Sequence, residues 1–254
     1  MAGEGGFMEG LLLYVALFAN WFLAGIAGGA AAIGTSMTAM PILILLLDPT
    51  EIVLICVLSC FFASVQLIYA YRGSFLWSDM KPLFVGCLPG IAVGTLTLKV
   101  ISVAALQLLL GFILFSFIIF QLIRRKSRYR LPDTPLVGTL AGFVIGFAGA
   151  AAAVPGAPLG IYIILRGWDA DRSRGNLSLF FMVFNTVTAF AHMSAGLYTM
   201  SIFQMSVVCA VGGVLGQCMG VRLGRGMDTS VLHKLILLFI FAAAFMLFWR
   251  ALGL

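Results

Sequence analysis

Residues 24–41 read AGIAGGAAAIGTSMTAMP, and residues 141–158 read AGFVIGFAGAAAAVPGAP. The two stretches open on the same Ala-Gly pair, match again at a glycine and at the final proline, and lie 117 residues apart. Each leads into a short apolar segment. Proline lacks an N–H group and glycine is a poor helix former, so both stretches predict a broken or re-entrant helix.

The composition around these stretches is that of a membrane protein. Of 254 residues, 62% are hydrophobic and 9% are charged, whereas soluble domains carry about 25% charged residues. A crossing helix needs about 20 apolar residues, so we predict an all-α integral membrane protein. Ten hydrophobic runs are present, at 11–31, 33–47, 52–71, 82–99, 103–123, 136–153, 155–165, 177–197, 200–221 and 232–252. The second and seventh runs are short, which leaves both ten full crossings and re-entrant pairs at segments 1/2 and 6/7 open.

The positive charges predict the orientation. Alternate connections, at 72–81, 124–130, 166–174 and 222–234, hold 13 of the 15 Lys and Arg residues. Basic loops stay in the cytoplasm, so both termini are predicted to be periplasmic in the inner membrane. The first ten residues contain no Lys or Arg, which argues against a signal peptide and for a retained first segment.

The repeated stretches divide the chain into a first membrane repeat, 1–123, a basic cytoplasmic linker, 124–135, and a second repeat, 136–254. Each half follows one order of features: glycine-rich break, proline, long helix, aromatic-glycine turn, GxxxG helix and terminal helix. Five segments per half is an odd number, so the two repeats would have inverted topology, as in many transporters. The linker is interpreted as a topology anchor in preference to a lipid-binding site.

Several motifs together resemble the TauE/SafE sulfite exporter family. They are the glycine-rich stretch at 24–34 with Pro41, the turn at 71–73 followed by Trp77, and the glycine helices at 90–94 and 212–216. The resemblance implies a bacterial inner-membrane transporter of small sulfur-containing anions such as sulfite or organosulfonates. The chain departs from the family's denser glycine cluster at 34–36 and at 150–153, which leaves the particular anion undefined.

The two breaks supply the first candidate binding residues. The first N–H groups of a helix have no partners and attract anions. One predicted helix opens at Gly34, Thr35 and Ser36, with Thr38 one turn later, and the matching helix opens at Gly156 and Ala157. We therefore expect an oxyanion between the two breaks. The alternative is that these small residues serve only close helix packing.

Polar residues inside the predicted spans supply the other candidates, because polar groups in lipid face the protein interior or a cavity. Gln66 and Asn185 are expected to bind substrate, although bridging between helices is the competing interpretation. His192 is the only histidine in the first nine segments and either couples transport to protons or forms a structural hydrogen bond. No Asp or Glu lies in the middle of a run, which disfavours a carboxylate proton relay.

The function predicted is thus a secondary transporter that moves a small anion by alternating access, and not an enzyme. No cofactor, metal or nucleic acid is expected, and the partners are the anionic substrate and the bilayer, with a homodimer also compatible with the sequence. The alternatives are a membrane biogenesis factor, a carboxylate or metal permease, and a hydrolase using Ser36 or Ser194 with His192. No HExxH, paired membrane Asp or nucleophile motif supports membrane enzyme chemistry.

Overall fold

The computed structural model of the chain describes residues 2–31, 35–70, 73, 75–123, 130–223, 241, 244–247 and 249. Regular structure in this part of the chain is entirely α-helical. Its helices are α1 (Ala2–Ala31), α2 (Thr35–Leu46), α3 (Pro49–Ala70), α4 (Trp77–Val100), α5 (Val103–Ile123), α6 (Pro135–Ala152), α7 (Gly156–Arg166), α8 (Ala170–Ser194) and α9 (Met200–Leu223). Seven are long and apolar enough to cross a membrane, whereas α2 and α7 are shorter. The prediction of an all-α multi-pass membrane protein is confirmed.

The helix boundaries follow the hydrophobic runs except where a helix begins with polar turns. The run at 82–99 corresponds to a helix that begins at Trp77, and the run at 177–197 to one that begins at Ala170. Hydropathy misses these first turns because they contain charged residues. In the fold, several of these residues form ion pairs or hydrogen bonds at the helix start. Asp169, for example, accepts a 2.8 Å hydrogen bond from the backbone N–H of Arg172 at the start of α8. The tenth predicted segment, 232–252, lies mostly outside the described residues.

Two pairs of helices pack with their backbones in direct contact. In the first pair, α4 lies along α6, and glycines at four-residue spacing face the partner helix on both sides. A Cβ atom at Gly142 of α6 would overlap the backbone carbonyl of Leu83, and one at Gly94 of α4 would lie 2.8 Å from the carbonyl oxygen of Phe147. Small residues at such spacing let helix backbones approach closely in membranes.

The second pair, α1 with α9, uses the same device. Gly212 and Gly216 of α9 face the backbone of α1 at Phe18 and Phe22, and Gly29 of α1 faces the backbone of Gln217. Helices α3 and α8 pack against each other, and they also contact α9 and α4 respectively. The resulting bundle has α3 and α8 between the two glycine-mediated pairs.

Each short helix folds back along the helix that precedes it. The amide of Asn20 on α1 donates a 3.0 Å hydrogen bond to the carbonyl oxygen of Ala39 on α2, while Gly28 lies directly against Thr35. In the other half, Gly149 of α6 lies against Pro155, and Gly138 lies near the hydroxyl of Tyr162. In both halves, a residue near the end of the long helix contacts the start of the short helix, and a residue further from that end contacts a later position. The two members of each pair, α1 with α2 and α6 with α7, therefore run in opposite directions.

A charged cluster joins the starts of α4 and α8. Arg172 donates two 2.7 Å hydrogen bonds from Nε and Nη2 to the two carboxylate oxygens of Asp79. The amide of Asn176 donates to the same carboxylate at 2.8 Å, and its carbonyl accepts the backbone N–H of Leu76 at 2.8 Å. The Arg172 guanidinium also lies 5.4 Å from the ring centre of Trp168. Every oxygen of this buried carboxylate is thus paired, as a charge near lipid requires.

We predict that Gly142→Ala lowers the free energy of unfolding by about 1–3 kcal/mol, because its methyl group would push the backbones of α4 and α6 apart. Gly10→Ala is the matched control, since no atom lies within 4 Å of a Cβ at that helical position. The thermal unfolding midpoint of the detergent-purified variants measures both. Equal midpoints for the two variants would contradict the packing described for α4 and α6.

A second prediction concerns the Asp79–Arg172 pair. Arg172→Met leaves a buried carboxylate without its cation and should cost about 2–3 kcal/mol, less than a fully buried pair because 35% of the Arg172 side chain is exposed. Arg174→Met removes only an exposed partner 3.8 Å from Asp171 and should be nearly neutral. Adding Asp79→Asn to Arg172→Met should recover part of the loss in thermal stability. No recovery in the double variant would show that the pair is not coupled.

Candidate functional site

The starts of the two short helices open into one cavity. Its empty space is about 600 Å³, including the part continuous with solvent. The lining residues come from α1, α2, α3, α8, α9 and the α6–α7 connection: Gly28, Thr35, Ser36, Met37, Cys56, Val57, Cys60, Ala63, Ser64, Leu67, Ala153, Pro155, Gly156, Phe181, Phe184, Asn185 and Gln217. Four of the residues predicted to bind substrate, Thr35, Ser36, Gly156 and Asn185, therefore share this cavity.

The first turn of α2 forms one wall. Thr35 and Ser36 bring two hydroxyl groups and the leading N–H groups of the helix to the cavity. The turn can reach this position because Gly28 has no side chain, and any Cβ there would overlap the Thr35 hydroxyl. Both hydroxyls can donate hydrogen bonds, and the first N–H groups of a helix lack intrahelical acceptors. This wall is therefore rich in donors.

The α6–α7 connection forms the opposite wall. Helix α6 ends at Ala152, and the C-cap residue Ala153 has φ 53° and ψ 26° and is the only non-glycine residue with positive φ in the described ranges. Its N–H group donates a 2.8 Å hydrogen bond to the Gly149 carbonyl oxygen, which closes α6 and turns the chain into α7. Pro155 and Pro158 carry no N–H, so the leading donors of α7 are the N–H groups of Gly156 and Ala157.

The side walls are formed by α3 and α8, which are joined by a polar contact at the cavity. The amide of Asn185 on α8 donates to the Ser64 hydroxyl at 2.8 Å and to the Cys60 carbonyl oxygen at 3.3 Å. The Ser64 hydroxyl in turn donates to the Cys60 carbonyl at 2.6 Å. Asn185 thus lines the cavity and bridges the two central helices.

The electrostatic character of the cavity comes from backbone groups. Among its described lining residues none is a Lys, Arg, Asp or Glu. The aligned peptide dipoles of a helix place a partial positive charge of about half a unit at its amino terminus. With two helix starts at one cavity, the arrangement favours an anion without holding it by a full counter-charge.

Sequence reasoning missed Gln217, which completes the lining from α9. This residue is 1% exposed, and neither its amide nitrogen nor its amide oxygen has a hydrogen-bond partner among the described residues. It follows Gly216 directly, and the glycine pattern of α9 indicated a helix-packing surface at this position and not a binding residue. The signal available in the sequence was a lone amide side chain inside a glycine-rich span, where polar groups are costly.

The remaining predicted binding residues lie away from the cavity lining. Thr38 and Ala157 are buried in α2 and α7, each one position after a lining residue. Gln66 donates from its amide to the sulfur of Cys218 at 2.9 Å and so connects α3 to α9. Gly34 lies outside the residues that the structure describes.

His192 also lies outside the lining, in a structural contact. It is fully buried in α8, and its Nε2 lies 3.1 Å from the carbonyl oxygen of Ala150. Because a carbonyl only accepts, this nitrogen carries the proton in the contact. Ala150 lies three residues before the Ala153 turn, so His192 fixes the end of α6 that shapes the cavity. Its ring also faces Tyr198, with ring centres 6.5 Å apart.

A comparison with known families identifies the family of the chain. Residues 17–247 match the family model described as Sulfite exporter TauE/SafE. The chain belongs to this family. TauE/SafE proteins are membrane transporters and not enzymes, so the protein is a multi-pass membrane transporter of the sulfite exporter family. No curated protein and no solved structure matches the chain.

The left-handed conformation of Ala153 generates a prediction. Ala153→Gly should preserve the turn and raise the free energy of unfolding by about 1 kcal/mol, because glycine adopts positive φ without the steric cost that a Cβ brings. Ala151→Gly, two residues earlier in regular helix, should lower it by about 0.5–1 kcal/mol. Thermal unfolding of the two variants gives opposite signs if the turn is as described, and the same sign if it is not.

Proposed function

We propose that this TauE/SafE protein is a secondary transporter that moves sulfite or a small organosulfonate across the bacterial inner membrane by alternating access. The cavity between the starts of α2 and α7 is the proposed substrate site. The observation that carries the proposal is that two short helices, one from each half of the chain, begin at the same uncharged cavity. Transporters commonly bind anionic groups at the amino termini of discontinuous helices.

The chemistry of the walls suits a sulfur oxyanion. Sulfite and sulfonate groups present several acceptor oxygens, and the lining residues include Thr35 and Ser36 with their hydroxyls and Gly156 with its N–H group. A transporter must also release its substrate, which a full counter-charge in a dry site would hinder. Partial charges at two helix starts offer attraction of intermediate strength.

The packing of the helices supports two halves of inverted topology, 1–123 and 136–254 with the linker 124–135 between them. If α1 corresponds to α6 and α4 to α9, exchanging the halves converts the α1–α9 pair into the α6–α4 pair. Both pairs occur, and both use glycines at four-residue spacing. An odd number of segments per half would give the two halves opposite orientations in the membrane, and the distribution of basic loops supports a periplasmic location of both termini.

The same equivalence suggests how access could alternate. α3 and α8 correspond to each other and meet at the cavity through Asn185, Ser64 and Cys60. A small relative movement of the two halves at this contact would open the cavity to one side and close it to the other. The direct backbone contacts of the two glycine pairs would keep each pair rigid during this movement.

The test is ligand-dependent thermal stability of the purified protein, measured with sulfite, thiosulfate, sulfoacetate, taurine, sulfate and acetate. A ligand that binds only the folded state raises the free energy of unfolding, by about 2.7 kcal/mol at a ligand concentration of 100 times its dissociation constant. The unfolding midpoint therefore rises. We expect a rise with at least one sulfur anion but not with acetate. Ser36→Ala should weaken binding about tenfold, the effect of losing one hydrogen bond to a charged group.

Thr186→Ala is the control variant, because Thr186 is exposed on α8 beside Asn185 and donates only to the Met182 carbonyl. It should bind the same anions as the unmodified protein. Asn185→Ala should lose the shift and lower basal stability, since it also removes the contact between α3 and α8. Absence of a shift with every sulfur anion would refute the proposed function.

A further inference from the structure

Gln217 brings an unpaired side-chain amide to the cavity. Buried polar groups in native proteins are almost always hydrogen-bonded, yet both polar atoms of the Gln217 amide are buried without a partner in the described part of the chain. The residue also lines the cavity. A buried amide at a cavity wall, with neither end paired, points to a bound molecule as the missing partner.

The position of Gln217 is fixed by its backbone. A Cβ at Gly29 of α1 would lie 2.5 Å from the Gln217 carbonyl oxygen, and one at Gly25 would lie 3.0 Å from the Gln217 backbone nitrogen. The main chain of α9 is therefore pressed against α1 at this residue. The Cα of Gln217 therefore cannot shift away from the cavity, and its amide stays where a ligand can reach it.

The other polar groups of the cavity show what Gln217 adds. The helix starts supply N–H donors, and Thr35 and Ser36 supply hydroxyls. The amide NH₂ of Asn185 is already used by Ser64 and Cys60. A glutamine amide presents a donor at one end and an acceptor at the other. The acceptor oxygen gains nothing from an anion that carries acceptor oxygens only, because two acceptors do not form a hydrogen bond.

We infer that the transported anion carries its own hydrogen-bond donor, and that Gln217 selects for it by accepting that donor with Oε1 while donating to the anion with Nε2. Hydrogensulfite and hydroxyl- or amino-substituted sulfonates belong to this class, whereas plain alkylsulfonates do not. This inference rests on the proposed function. Sites that hydrogen-bond a substrate hydroxyl reject the analogue lacking it, because a buried polar group is then left unpaired.

The experiment compares ligands of equal charge that differ in the donor. The first pair is 2-hydroxyethanesulfonate with ethanesulfonate, and the second, smaller pair is hydrogensulfite with methanesulfonate. Dissociation constants are measured by calorimetry on the full-length protein in detergent. The variant Gln217→Met keeps an unbranched side chain of similar length and removes both ends of the amide. Gln107→Met, in a buried position of α5 away from the cavity, is the matched control.

The unmodified protein and Gln107→Met should bind the donor-bearing member of at least one pair about tenfold or more tightly, and Gln217→Met should bind both members of that pair equally. Equal binding within both pairs by the unmodified protein overturns the inference and leaves the proposed anion site standing. Discrimination that persists in Gln217→Met overturns the assignment to Gln217. If no anion of either pair, and none of the earlier panel, binds the unmodified protein, the proposed function fails as well.

Discussion

The backbone of a membrane protein has no water to satisfy its polar groups, so every helix that starts within the bundle must present its first N–H groups to another part of the chain, a cavity or a ligand. Helices α2 and α7 both start at the same cavity. The fold thus brings the leading N–H groups of two helices to one place. The glycine contacts and the central α3–α8 pair hold these two helix starts at the same cavity.

The glycines determine how closely the helices around the cavity pack. Direct backbone contact between α1 and α9 and between α4 and α6 leaves no layer of flexible side chains in either pair. Lipid offers no hydrophobic driving force for helix association, so close packing of this kind is the main source of attraction between helices. One consequence appears at Gln217, whose backbone is fixed against Gly25 and Gly29 while its amide is left at the cavity wall.

Polar side chains outside the cavity connect its wall helices to neighbouring helices. His192 binds the carbonyl of Ala150, Asn20 binds that of Ala39, and Gln66 reaches Cys218. Each contact joins a helix of the cavity wall to a neighbour. The Asp79–Arg172 pair does the same at the starts of α4 and α8, where Asn176 completes the pairing of the carboxylate. These contacts fix the geometry of the cavity without placing a charge among its described lining residues.

The sequence by itself determined the class of the protein and the positions of its described membrane helices, because hydropathy acts locally and does not depend on the fold. It also identified Thr35, Ser36, Gly156 and Asn185 as polar or helix-starting residues that need a partner. Only the tertiary structure decided which of the polar residues meet. Asn185 and His192 lie on one helix seven residues apart, yet one reaches the cavity and the other reaches the end of α6. The sequence did not identify Gln217, because whether its amide has a hydrogen-bond partner depends on the positions of the surrounding helices.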